Sequence, residues 1–396
     1  MTTETRPGTG VGFTLRPSPT GIATTRHRAA PVEHDMGGVV PARGGVSPPT
    51  TSSVVASTMV ESDRGESVVV VPKTVTITRL PANWIVTGAD RRGCSAGSPA
   101  RGSDFRRDTV DDVADLAKSG SGPYFLNDRE QSGEPIRTAL FCHAAGFTGR
   151  VWRSCVKNLR TPLRAAALDL RGHGGAPPLA EDAGWGVFAD DVLRAARALG
   201  AGPLIGVGHS LGATSLLLAE ARAPGTFDLL VCFEPILATR HDPAFAEAAA
   251  RRRAVFGSRA DALARWSARP PLSRLAPEVL ADYVDSGLAE EPDGRVRLRC
   301  APEVEAQLFR TAISCPWREA LPSVRCPTVF LRGGESVVVS GDSLAAACAG
   351  LPAGRVGEVP GLDHLGPLVR PGTFAEVLDG LLADFLDGPA AARTTP

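Results

Sequence analysis

The clearest chemistry in the chain lies in Gly206-Val207-Gly208-His209-Ser210-Leu211-Gly212. An apolar pair, Leu204-Ile205, precedes it, and Ala213-Thr214-Ser215-Leu216-Leu217-Leu218-Ala219-Glu220 follows. This order predicts a buried strand, a sharp turn and a helix. A serine at the tip of such a turn sits in strained backbone, so the residues two before and two after it must be small, as Gly208 and Gly212 are. The turn lifts the Ser210 hydroxyl above the strand ends. It also aims the first N–H groups of the helix at whatever that hydroxyl attacks. With 43 glycines in 396 residues, a Gly-x-Ser-x-Gly match arises by chance about 0.3 times in such a chain. The strand before the turn and the helix after it are therefore the discriminating part of the signal.

The elements that must position Ser210 alternate in type. Tyr124-Phe125-Leu126, Thr138–Cys142, Ala165–Leu170, Phe227–Phe233, Thr328–Arg332 and Arg355–Val359 read as strands. The stretches from Trp152 to Leu159, Trp185 to Leu199, Ser343 to Ala349 and Phe374 to Phe385 have helical spacing. Alternation of this kind predicts a mostly parallel sheet flanked by helices, an α/β architecture with its ligand site beyond the carboxyl ends of the strands. Ser210, the small-residue loop His143-Ala144-Ala145-Gly146-Phe147, the turn Arg171-Gly172-His173-Gly174-Gly175 and Glu234 all fall on that edge. Pro235 cannot extend a central strand, so Glu234 marks a strand end.

Between residues 237 and 322 the alternation stops. Pro243–Phe256, Ser258–Ala268, Pro277–Leu288 and Pro302–Ile313 read as helices, with Asp242 as N-cap of the first and a short strand over Arg295–Arg299. A helical insertion leaving the active edge reads as a cap, and Arg251-Arg252-Arg253 within it reads as a solvated face. The expected organisation is an extension over 1–121, a core in two parts, 122–236 and 323–387, the cap over 237–322, and a loose tail over 388–396. Residues 1–121 are rich in Gly, Pro, Ser, Thr and Arg, with Phe13, Trp84 and Phe105 as their aromatics. Such a segment buries too little apolar area to offset its ordering entropy. It is expected to be mostly disordered and dispensable, apart from strand character over 68–78 and a short helix over 108–118.

Composition narrows the function. Formal net charge is zero and no basic face with interleaved aromatics is present, so nucleic acid is not an expected partner. No apolar stretch approaches the ~20 residues of a membrane span. The eight cysteines include no C-x-x-C pair and lie partly in apolar runs, as Cys142 and Cys232 do. They read as buried thiols, with neither structural zinc nor a disulfide framework. A cytoplasmic setting, a small-molecule substrate and no metal or cofactor are the corresponding expectations. Oligomeric state is left open.

HAAGF at 143–147, DLRGHG at 169–174, GHSLG at 208–212 and His364 within PGLDHLGP occur in the order found in the α/β-hydrolase superfamily, which the chain resembles over residues 122–387. The resemblance implies a nucleophile, an acid and a histidine in that chain order. Ser210 would be the nucleophile, and His364 its general base and then general acid. The Leu211 N–H would form half of an oxyanion hole, and Ala145 the other half. The acid is expected at Glu234, with Glu335, then Asp363 or no acid at all, as the alternatives. The family most often takes it three residues beyond a Gly at the end of the next-to-last strand. Counting from Gly333 reaches Ser336, which cannot stabilise an imidazolium. Glu335 lies one residue early, some relatives use the preceding strand end, where Glu234 stands, and Asp363 adjoins the histidine. His143, His173 and His209 are expected to be structural or pocket-lining. The implied activity is hydrolysis of an ester, lactone or thioester through an acyl-enzyme on Ser210. A thioesterase for carrier-bound acyl chains and a catalytically silent ligand-binding fold are the alternatives.

Overall fold

The computed structural model describes residues 122–127, 137–200, 202, 204–237 and 243–386, together with five short strands between residues 51 and 86. Among those five, Thr76–Leu80 pairs antiparallel with Thr51–Ser53 and Asn83–Val86, and Met59–Glu61 pairs antiparallel with Ser67–Val69. Of the strand expected over 68–78, the ends fall in Ser67–Val69 and Thr76–Leu80, and 70–75 lie outside the described residues. The helix expected over 108–118, the Asp242 cap and the tail from 388 lie outside the described residues.

The core is a seven-stranded sheet. Its strands are β1 (Tyr124–Phe125), β2 (Thr138–Cys142), β3 (Arg164–Leu168), β4 (Leu204–His209), β5 (Leu229–Phe233), β6 (Thr328–Gly333) and β7 (Gly354–Val359). The spatial order is β1-β3-β2-β4-β5-β6-β7, with β1 antiparallel and every other pairing parallel. Connections between parallel neighbours must cross over, which is why helices separate these strands in sequence. The helices of the core are α1 (Arg153–Asn158), α2 (Gly186–Ala198), α3 (Leu211–Arg222), α8 (Gly341–Ala349) and α9 (Pro371–Leu386).

The two-residue period of each strand divides the core. Ala139, Phe141, Ile205, Val207, Val231, Phe233, Val329 and Leu331 face one side, where α1 contributes Cys155 and α9 contributes Phe374 and Leu378. Leu140, Cys142, Leu230, Cys232 and Phe330 face the other, against Phe188 and Val192 of α2, Leu216 of α3 and Leu344 of α8. A one-residue slip in any central strand would move its whole apolar set to the wrong face, so register at the carboxyl edge is strongly fixed.

The insertion between β5 and β6 holds α4 (Pro243–Ala250), α5 (Arg259–Ser267), α6 (Pro277–Gly287) and α7 (Pro302–Thr311). Pro277 and Pro302 occupy the first helical turn, where a missing N–H costs nothing, and Ser258 caps α5 by accepting from the Asp261 N–H. The insertion also contains a three-stranded antiparallel ladder in the order Val255–Phe256, Val296–Leu298, Leu288–Glu290. The helix expected to reach Phe256 therefore stops at Ala250. Phe256 is buried instead with its ring 5.3 Å from Trp266, and that burial overrides local helical spacing.

Candidate active site

Ser210 joins β4 to α3 with φ 54° and ψ −112°. Its N–H donates to the Phe233 carbonyl at 2.9 Å, which fastens the turn to the end of β5. The turn is tight enough that a Cβ on Gly208 would lie 2.5 Å from Ala213 backbone, and one on Gly212 would lie 2.2 Å from the Cys142 carbonyl oxygen. Leu211 is the first residue of α3, so its N–H has no acceptor within the helix and points out of the helix end.

Glu234 follows β5 immediately and is fully buried. Its φ is 50°, and Ser210 and Glu234 are the two non-glycine residues with positive φ among the described residues. Such backbone is costly for a side chain and persists only where the surroundings over-determine it. Glu234 Oε2 lies 3.0 Å from His364 Nδ1, Oε1 accepts from the Gly333 N–H at 2.9 Å, and the Ser336 hydroxyl donates to Oε2 at 2.7 Å. Glu335 is exposed on the same turn. Asp363 pairs with Arg274 at 2.6 Å and accepts from the Leu365 N–H at 3.0 Å. The loop bearing His364 rests on the residue before Ser210, because His209 Nε2 donates to the His364 carbonyl at 2.8 Å. Burial, with His364 close by, holds the His209 imidazolium pKa well below its usual range, so His209 is neutral.

A second group of contacts holds the loop after β2. His143 Nδ1 donates to the Ala144 carbonyl at 2.8 Å, and His143 Nε2 accepts from the Leu170 N–H at 3.0 Å. His173 Nε2 accepts from the Gly146 N–H at 3.0 Å, and its Nδ1 faces the Arg171 carbonyl at 3.2 Å. Both rings act as acceptors for a backbone N–H, which requires the neutral form. Burial first, then the neighbouring His143, lowers the His173 pKa to about 3. The Gly146 carbonyl accepts from the Tyr283 hydroxyl of α6 at 2.8 Å. The Ala145–Gly146 segment is thus gripped by a core histidine on one side and the insertion on the other.

Arg252 corrects one expectation. Arg251 and Arg253 are exposed, but Arg252 turns inward, pairs with Glu305 of α7 and donates to the Tyr283 hydroxyl at 3.0 Å. Two acceptors beneath it, a carboxylate and a hydroxyl, offset the loss of hydration that a three-arginine run alone would not predict. Helix α6 has further anchors. Thr148 and Ser286 share a 2.6 Å hydroxyl contact, Arg153 Nε donates to Asp282 at 3.1 Å, and the Ala276 N–H donates to the Leu368 carbonyl at 3.0 Å. One helix therefore spans from the loop after β2 to the loop that follows His364. Sequence reasoning missed Tyr283 and Glu305, which carry no local motif, and missed the contact that Ser336 makes.

Among the described residues, no cluster of three or more His, Cys, Asp or Glu side chains is placed to hold a metal ion. Among them, too, no helix is long and apolar enough to cross a membrane. Burial raises the pKa of Cys300, Cys315 and Cys326 to about 12, which makes them poor nucleophiles at neutral pH.

With this geometry in hand, comparison with known proteins is direct. Residues 139–377 match the alpha/beta hydrolase family. The chain belongs to that family. It is 28% identical over 270 residues to 2-(acetamidomethylene)succinate hydrolase of Mesorhizobium japonicum, covering 67% of this chain and 93% of that one. The fold is similar to the peroxisomal α/β-hydrolase Lpx1 of Saccharomyces cerevisiae, with a TM-score of 0.59 and 15% identity over 88% of this chain and 92% of that one. It is also similar to the crystal structure of E-2-(acetamidomethylene)succinate hydrolase, with a TM-score of 0.54 and 22% identity over 84% of this chain and all of that one.

Proposed function

We propose that the protein is a serine hydrolase that cleaves an ester, lactone or thioester of a small molecule through an acyl-enzyme on Ser210. The observation that carries this reading is the pairing of strain with contact. The two positive-φ non-glycine residues among the described residues sit at adjacent strand ends, and one of them, Glu234, holds the Nδ1 side of His364. Strain of this kind marks positions where side-chain aim matters more than local stability.

In the mechanism, Ser210 Oγ attacks the substrate carbonyl while His364 Nε2 takes the hydroxyl proton. Glu234 fixes the tautomer by accepting from Nδ1–H and stabilises the imidazolium as it forms. The N–H groups of Leu211 and Ala145 receive the developing oxyanion, and losing one such donor costs about 3 kcal/mol in the transition state. His364 then returns the proton to the leaving group and activates the water that clears the acyl-enzyme. Helix α6 is fastened at one end to the loop that carries Ala145, through Tyr283, and at the other to the segment after His364, through Ala276. The relative that hydrolyses 2-(acetamidomethylene)succinate puts small acyl compounds bearing carboxylates on the substrate panel beside simple esters.

A fluorophosphonate probe tests the reading. The protein is expected to label, Ser210→Ala is expected to abolish labelling and lower p-nitrophenyl ester turnover by about 10⁴-fold or more, and unchanged labelling of that variant would refute it.

A further inference from the structure

We propose that Ser336 is a positioning residue that aims the Glu234 carboxylate at His364. The proposal rests on the roles given above to Ser210, His364 and Glu234.

Ser336 stands three residues past Gly333 and is buried. Its Oγ accepts from the Val338 N–H at 3.2 Å and donates to Glu234 Oε2 at 2.7 Å. With Val338 supplying the incoming bond, the hydroxyl proton is directed at the carboxylate. The loop itself is braced, because the Arg332 guanidinium donates to the Ser336 carbonyl at 2.9 Å and to the Val339 carbonyl at 3.2 Å. Oε2 is the oxygen that also faces His364 Nδ1, at 3.0 Å, while Oε1 is held by the Gly333 N–H at 2.9 Å. Two donors at fixed positions set the carboxylate plane, and the imidazole meets an acceptor already in line. Removing the Ser336 hydroxyl leaves a fully buried oxygen short of a donor and frees the carboxylate to rotate about its last bond.

In this chain the end of β5 carries the acid and the turn after β6 carries its hydrogen-bond donor.

The experiment measures steady-state turnover of p-nitrophenyl acetate, with circular dichroism and thermal midpoints to establish folding. Ser336→Ala is expected to lower kcat about tenfold with KM within twofold, and Ser336→Thr, which keeps the hydroxyl, to stay within threefold of the parent. Glu234→Ala is expected to be nearly inactive. Parent-like kcat in folded Ser336→Ala, or Ser336→Thr as impaired as Ser336→Ala, overturns the positioning role. If Glu234→Ala alone keeps full turnover, the assignment of Glu234 falls first, and with it this proposal.

Discussion

The two sides of the site are held by different means. On the histidine side, Glu234 and Gly333 stand at the ends of neighbouring parallel strands and Ser336 on the short turn that follows, and sheet register with that turn brings them within hydrogen-bonding distance. On the other side, the loop 143–147 is held by His173 of an adjacent loop and by Tyr283, 137 residues further along the chain. The first side is a product of the core's hydrophobic pattern. The second depends on docking of the insertion, through contacts that are polar, long-range and partly titratable. Damage to the first should therefore appear in turnover, and damage to the second should appear first in stability.

The largest expected effect is on the histidine side. Glu234→Gln keeps the shape of the side chain but disturbs the tautomer of His364, and kcat should fall by about 10³–10⁴-fold. Glu335→Gln, exposed on the turn after β6, should stay within about twofold, because an exposed carboxylate contributes little. Turnover of a p-nitrophenyl ester by both variants measures the contrast. Equal losses would mean that the strand end is not what positions the acid.

This contrast also explains what the sequence could reveal. The sheet was legible because buried parallel strands read as short apolar runs, and Thr138–Cys142 is a strand over the residues its apolar run marks. Ser210 was legible because a tight turn restricts its neighbours to glycine. Glu234 was visible as a strand end before Pro235, but the choice between it, Glu335 and Asp363 turns on which side chains point inward, and that is decided by packing. The insertion was less legible. Helical spacing over 243–256 concealed a strand at Val255–Phe256 that forms only against Arg297 and Val296. Arg252 looked like its neighbours because its partners, Glu305 and Tyr283, lie 53 and 31 residues away.

That triplet of arginines gives the next contrast. Arg252→Ala removes the partner of a mostly buried Glu305 and the donor to Tyr283, whose hydroxyl holds Gly146. Stranding a buried charge costs several kcal/mol, and partial exposure of this pair reduces the expectation to about 2–3 kcal/mol. Arg251 makes one long exposed contact with Glu247 at 3.4 Å, so Arg251→Ala should change stability by less than about 0.5 kcal/mol. Urea unfolding of the two variants checks this, and equal stabilities would mean that the insertion is not anchored through Arg252.

The smallest effect is the most selective for the loop side. The His173 pKa is about 3 in the folded protein and about 6.5 in an unfolded chain. Between those values the unfolded state binds the extra proton, so stability is complete above pH 6.5 and is lost as pH falls toward 3. From pH 7.0 to 5.5 this one ring should cost about 1 kcal/mol. His173→Gln keeps an oxygen acceptor for the Gly146 N–H but has nothing to protonate. Over the same interval its urea unfolding free energy should fall by about 1 kcal/mol less than that of the parent, whatever its starting value. His209 stays in both proteins, so the difference reports the ring that holds Gly146 together with its influence on neighbouring His143. Identical pH slopes would mean that His173 accepts protons freely in the folded state, which is incompatible with its role as acceptor for that N–H.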